Sequence, residues 1–168
     1  MKKLREQGGY SLTESLCVVI VLLLITAVLM TGMHFATDTF AKSVSQSEAQ
    51  VLCSTLKTVV TNELKNASEV KLDGSQNVQS FFSTLHGGAG ARFGNLEGEL
   101  TVEQGGNSHK LLSSTSYTYG TKASIDEVKY HKATGSFHVK LTVSDQNDKE
   151  IKSMEFDVLP VTPPKITA

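Results

Sequence analysis

The residue that most asks for a chemical explanation is Glu14. It sits in "REQGGYSLTESL", residues 5 to 16, five positions after Gly9 and two before Leu16, where a long aliphatic run takes hold. An ionised carboxylate is costly to carry into lipid, and ionisable groups inside a membrane usually mark function. The bland alternative is a solvated carboxylate at headgroup level that only marks the membrane edge.

Elsewhere the chemistry-bearing residues are scattered. "HGGAGARFG", residues 86 to 94, is glycine-rich but lacks both the dinucleotide fingerprint and the Lys-Ser/Thr end of a phosphate loop, and it reads as a flexible surface loop. The histidines at 34, 86, 109, 131 and 138 show no HxxxH or HExxH spacing and no acidic cluster accompanies them, so no metal site is expected. "NAS" at 66 to 68 fits a glycosylation acceptor pattern that is common by chance. Lys122, Lys129, Lys132 and Lys140 could form a basic patch, but a solvated face is the better default. Cys17 and Cys53 are too few for a disulfide framework. No catalytic residue and no cofactor is assigned, and catalysis is the remotest class of function.

Stepping outward from Glu14, the hydrophobic run sets the class of protein. Residues 15 to 37, 23 in all, contain no Asp, Glu, Lys or Arg. As a helix they reach ~35 Å, enough to cross a bilayer core of about 30 Å. Lys2, Lys3 and Arg5 precede the run with only Glu6 opposing them, so the positive-inside rule places the N-terminus in the cytoplasm and residues after about 38 outside. An ordinary secretory signal has its small-residue cleavage site beyond the apolar region. Here the small pair, Gly8-Gly9, lies before it, and a cut after Gly9 leaves the apolar segment on the mature chain. The formal net charge is −1, and loss of residues 1–9 brings it to −3, which speaks against a nucleic-acid interface.

A short basic leader, then Gly9, then "YSLTES" with Glu14 fifth after that glycine, then an aliphatic run: this arrangement resembles the type IV pilin family, pseudopilins included. The resemblance covers about the first 35 residues. It implies that a membrane-embedded prepilin peptidase cuts after Gly9 and methylates the new amine of Tyr10. It also implies polymerisation with other pilin subunits through the N-terminal helix, served by an assembly platform and ATPase, into a cell-surface filament. Two features depart from the family pattern. Tyr10 stands where Phe is commoner, and "MTGM", with Gly32, stands where many members carry a helix-bending proline. The absence of a C-terminal cysteine pair also sets the chain apart from many Gram-negative pilins.

Cleavage gives Glu14 its partner. The amine freed at Tyr10 lies four residues before Glu14 and can pair with that acid in its own or a neighbouring subunit. Pairing neutralises both charges as subunits leave lipid for a packed helical core, and it can set register, because the partner exists only after processing.

The expected fold is α+β. There is no Pro from Tyr10 to Lys65 and Gly32 is the only Gly there, so one spine helix of about 55 residues, ~80 Å long, is expected. Its first half spans the membrane. Its second half is amphipathic, with Phe40, Val44, Val51, Leu56, Val59, Val60 and Leu64 on one face. Asp73-Gly74 marks a turn, and "NVQSFFSTL" reads as a short second helix. "ELTVE" and "HKLLSS" read as a hairpin across Gly105-Gly106. "SIDEVKYH", "SFHVKLTVS" and "EIKSMEFDV" read as half-buried antiparallel strands packed on the helix stripe. The prolines of "LPVTPPKITA" leave an extended surface tail. The chain thus divides into a leader (1–9), a transmembrane or filament-core segment (10–37) and an extracytoplasmic head (38–168). Two functions remain: a structural subunit of a pilus-like filament, or a non-polymerising single-pass membrane protein with an outer binding domain. Within the first, sequence leaves adhesion, motility, DNA uptake and secretion open.

Overall fold

A computed structural model describes residues 12–85 and 88–167. The leader, Gly9, Tyr10 and His86 lie outside the described residues.

Helix α1 runs unbroken over Leu12–Lys65, 54 residues. Its ends suit the helix dipole, with Glu14 in the first turn and Lys65 in the last. It passes through Gly32 without interruption, where an added Cβ would meet nothing within 4 Å. Between residues 26 and 39 threonines fold their hydroxyls back onto α1 carbonyls: Thr26 onto Leu22 (3.0 Å), Thr31 onto Ala27 (2.6 Å), Thr37 onto Met33 (3.0 Å) and Thr39 onto Phe35 (2.8 Å). Their donors are thereby satisfied inside the helix, as an apolar surrounding requires.

The chain forms two compact units, divided between Ser43 and Val44. The described part of the first is α1 alone. The second holds the rest of α1 and nine strands. Strands β1 (Glu69–Leu72), β2 (Val78–Ser83), β3 (Gly88–Leu96), β4 (Glu99–Gln104), β5 (Asn107–Lys110) and β9 (Lys165–Thr167) make one sheet in the order β5-β4-β3-β2-β1-β9. Strands β6 (Lys122–His131), β7 (Ser136–Ser144) and β8 (Glu150–Val158) make a second, β6-β7-β8. All pairings are antiparallel except β1 with β9, which is parallel. The class is therefore α+β, a long helix with an antiparallel-dominated head, although the strands divide between two sheets.

Three local expectations change. "NVQSFFSTL" is not a helix: Val78–Ser83 is β2, with Phe81 and Ser83 buried and β1 and β3 on either side. Phe81 packs on Phe93 with ring centroids 5.1 Å apart, so aromatic packing on a pleated surface overrides local helix propensity. The glycine-rich stretch is not a loop beyond residue 87, because Gly88–Leu96 is β3. At Gly88 and Gly94 the Gln104 and Glu103 side chains of β4 lie over the strand, in the space a Cβ would take. The tail is not merely surface chain: after Pro164 it returns as edge strand β9, with Glu69 opposite Lys165.

The core of the second unit joins Leu56, Val60 and Leu64 of α1 to strand residues such as Val70, Phe81, Val102, Val139, Leu141 and Val158. The stripe differs from the expected one at its start. Val51 is 64% exposed and Phe40 71%, while Ala49, Leu52 and Cys53 are buried. The spacing 49, 52, 53, 56, 60 is the i, i+3, i+4, i+7 pattern of a helix face turned to a core. Each fully buried Leu or Val side chain contributes about 1.5–3 kcal/mol.

Candidate functional site

The first unit presents an apolar helix whose side chains are exposed among the described residues. From Val18 to Ile25 every side chain is large and aliphatic, and the least exposed of them, Ile20, is 49% exposed. The apolar character runs all round the helix rather than along one stripe, as in a segment made to be surrounded by lipid or by other helices. The helix is long and apolar enough to cross a membrane. Glu14 stands exposed in its first turn, at the end where backbone N–H groups are unpaired and negative charge is favoured. Gly9 and Tyr10, the expected cleavage site, lie outside the described residues. Cys17 is a free, exposed thiol on the same apolar helix.

The remaining candidates are in or near the head. Three of the four lysines of the possible basic patch are matched by acids: Lys122 with Asp148 (2.6 Å), Lys129 with Glu127, and Lys140 with Glu155 (4.0 Å). This is a solvated face of mixed charge, unlike a stripe that neutralises phosphates. His131 and His138 are brought together by the β6–β7 hairpin, with ring centroids 6.0 Å apart, and His138 Nδ1 lies 2.9 Å from Asp157 Oδ1. Among the described residues no group of three or more His, Cys, Asp or Glu is arranged to hold a metal ion. Cys53 is free and buried, and burial pushes its thiol up, with the Lys152 charge opposing.

Two features were missed from sequence. Glu63 is 2% exposed on α1, although it reads as an ordinary solvent-side acid. Its position seven residues after Leu56 was the available signal. Ser83, its hydrogen-bond partner across the core, carried none, because its segment was read with the wrong period. A cleft of about 340 Å³ also opens where β6 passes β2 and β3, lined by Gln79, Phe81, Arg92 and Asp126 among others. Arg92 is paired there with Glu103 (2.7 Å) and Asp126 accepts from Thr142 (2.7 Å), so its charged groups are already occupied.

The chain matches no family model, and no curated protein or solved structure matches it.

Proposed function

We propose that this chain is a structural subunit of a type IV pilus or pilus-like filament, processed after Gly9 and polymerised through α1. One observation carries the reading: an acid, Glu14, five residues after a glycine that ends a basic stretch, opens an unbroken helix whose apolar half is exposed among the described residues. A plain membrane anchor needs the apolar helix but neither the acid nor the glycine. In the precursor the basic leader stays in the cytoplasm and the head lies outside. The partners are a prepilin peptidase, other pilin subunits and the assembly machinery. Helix packing then replaces lipid around α1, and the Tyr10 amine meets Glu14.

The test is co-expression with a prepilin peptidase. The product loses nine residues and begins at methylated Tyr10, Gly9→Val stays full length, and the processed subunit is recovered in sheared filaments. A mature N-terminus beyond residue 30 would establish an ordinary secretory signal and overturn the reading.

A further inference from the structure

Strand pairing brings together two imidazoles whose spacing in sequence, residues 131 and 138, is outside the HxxxH and HExxH patterns. His138 on β7 is opposite Lys129 of β6 on one side and Asp157 of β8 on the other. Opposite residues share a face, and so do residues two apart on a strand, so His131, His138 and Asp157 stand on the same face of the sheet. His131 is exposed there and His138 half-buried. Their ring centroids are 6.0 Å apart with 59° between the planes. Two imidazoles bound to one ion at about 2.0 Å place their centroids about 4.5 Å apart at right-angled positions and about 6.4 Å apart at opposite ones. The observed 6.0 Å falls between these limits. His138 Nδ1 lies 2.9 Å from Asp157 Oδ1. An ionised carboxylate only accepts, so Nδ1 carries a proton and, in the neutral ring, Nε2 keeps the lone pair. A carboxylate that fixes the far nitrogen in this way is the usual outer support of a metal-bound histidine.

We infer that His131 and His138 form a two-imidazole site for a divalent transition-metal ion, Cu²⁺ by preference, with Asp157 as its positioning residue. Imidazole nitrogen suits Cu²⁺, Ni²⁺ and Zn²⁺, whereas Mg²⁺ and Ca²⁺ call for oxygen ligands. Within the first group a given set of nitrogens holds Cu²⁺ most tightly. Water fills the remaining positions, since no group of three or more His, Cys, Asp or Glu among the described residues is arranged to hold a metal ion. Lys129, directly opposite His138, would repel the ion, but its charge is answered by Glu127. Bound at this end of the hairpin, the ion ties β6 to β7 and, through Asp157, is braced from β8. The site lies wholly within the sheet β6-β7-β8, so it stands or falls independently of the filament reading.

The test is a Cu²⁺ titration of the full chain in detergent micelles. The exposed thiol of Cys17 is first blocked with N-ethylmaleimide, so that it does not reduce the ion. At about pH 7.5 protons compete little for the ligand nitrogens. The expected result is one tight equivalent of Cu²⁺, with an electron paramagnetic resonance spectrum split by two imidazole nitrogens. His131→Asn and His138→Asn each lose the tight equivalent and the two-nitrogen splitting, whereas His109→Asn behaves as the parent does. Asp157→Ala keeps the two-nitrogen spectrum but binds about 10-fold more weakly, as loss of an outer carboxylate does. All three side chains reach solvent, so the variants should keep the parent's circular dichroism. A one-nitrogen spectrum in the parent overturns the site, and so does a tight equivalent that survives either histidine change. Parental affinity in Asp157→Ala overturns the positioning role of the acid.

Discussion

Ser83 Oγ donates a 2.9 Å hydrogen bond to Glu63 Oε2, tying β2 to the last turns of α1 where both side chains are buried. A buried acid is tolerated only when donors replace water. Ser83→Ala removes this donor and leaves the acid in place, so it should cost about 1–3 kcal/mol of head stability. The double change Glu63→Leu with Ser83→Ala removes both polar groups and should cost less than the two single changes summed. Urea unfolding of a fragment spanning 44–168, followed by circular dichroism, measures both. Additive single effects would show that the two side chains do not depend on one another.

Cys53 gives a second handle on the same core. It is fully buried, and desolvation raises its thiol pKa above the ordinary value despite the Lys152 charge. The thiolate is the reactive form, so burial and the raised pKa act in the same direction. In the folded 44–168 fragment at pH 8, Cys53 should resist an aromatic disulfide reagent and react only as urea unfolds the chain. Cys53→Ser places a hydroxyl in the same apolar site and should destabilise by about 1–3 kcal/mol. Rapid labelling of the native fragment would mean that the helix face at 49 to 64 is not packed.

The features legible in sequence share one property: their signal is local and periodic. The membrane-length run, the unbroken α1 and the alternation in β7 and β8 were all readable because each residue's side of the element follows from counting. Residues 78–83 and 88–96 were not readable, because neither alternates cleanly. β2 is held by β1 and β3 and β3 by β2 and β4, pairings that only the assembled sheet reveals. The return of Lys165–Thr167 beside β1 is a contact between chain segments almost a hundred residues apart, which no local window contains. Of the candidate site, the apolar surface and the place of Glu14 in the first turn of α1 were legible. The burial of Glu63 was not, because an acid on a helix reads as solvated until its surroundings are known.

The head should also lose stability in acid through identifiable groups. The Asn77 side-chain amide donates to Asp73 at 3.1 Å, and the backbone N–H groups of Asn77 and Ser75 donate at 2.8 Å each, holding the Asp73 carboxyl below its usual range. Lys110 at 2.7 Å, with Ser114, does the same for Glu99. A depressed folded-state pKa contributes stability that is present above the unfolded value and is lost as pH falls through the folded one. The loss should therefore develop below about pH 4, near and under the ordinary carboxylate values. Asp73→Asn keeps an oxygen acceptor at the β1–β2 turn but cannot titrate. Its urea midpoint should change less than that of the parent between about pH 4 and 2. An identical pH profile for the variant would remove Asp73 from the acid response.

Glu14 is the sharpest test of the filament reading. Both Glu14→Ala and Glu14→Gln should be cleaved after Gly9 as the parent is, because the peptidase meets the glycine and the residue that follows it. The alanine change removes a charge that lipid disfavours, so the monomer should sit in the bilayer at least as comfortably as before. Any defect must then arise on assembly, where the Tyr10 amine enters packed helices without its acid. An unpaired buried charge costs about 3–5 kcal/mol, ample to shift a polymerisation equilibrium when the contact recurs with every subunit. Glu14→Asp keeps the charge on a shorter side chain and should give an intermediate yield. The measurement is sheared filament against membrane-retained monomer in a strain whose only copy is the variant. Parental filament yield from Glu14→Ala, with the variant subunit confirmed in the filaments, would reduce the acid to a marker of the membrane edge.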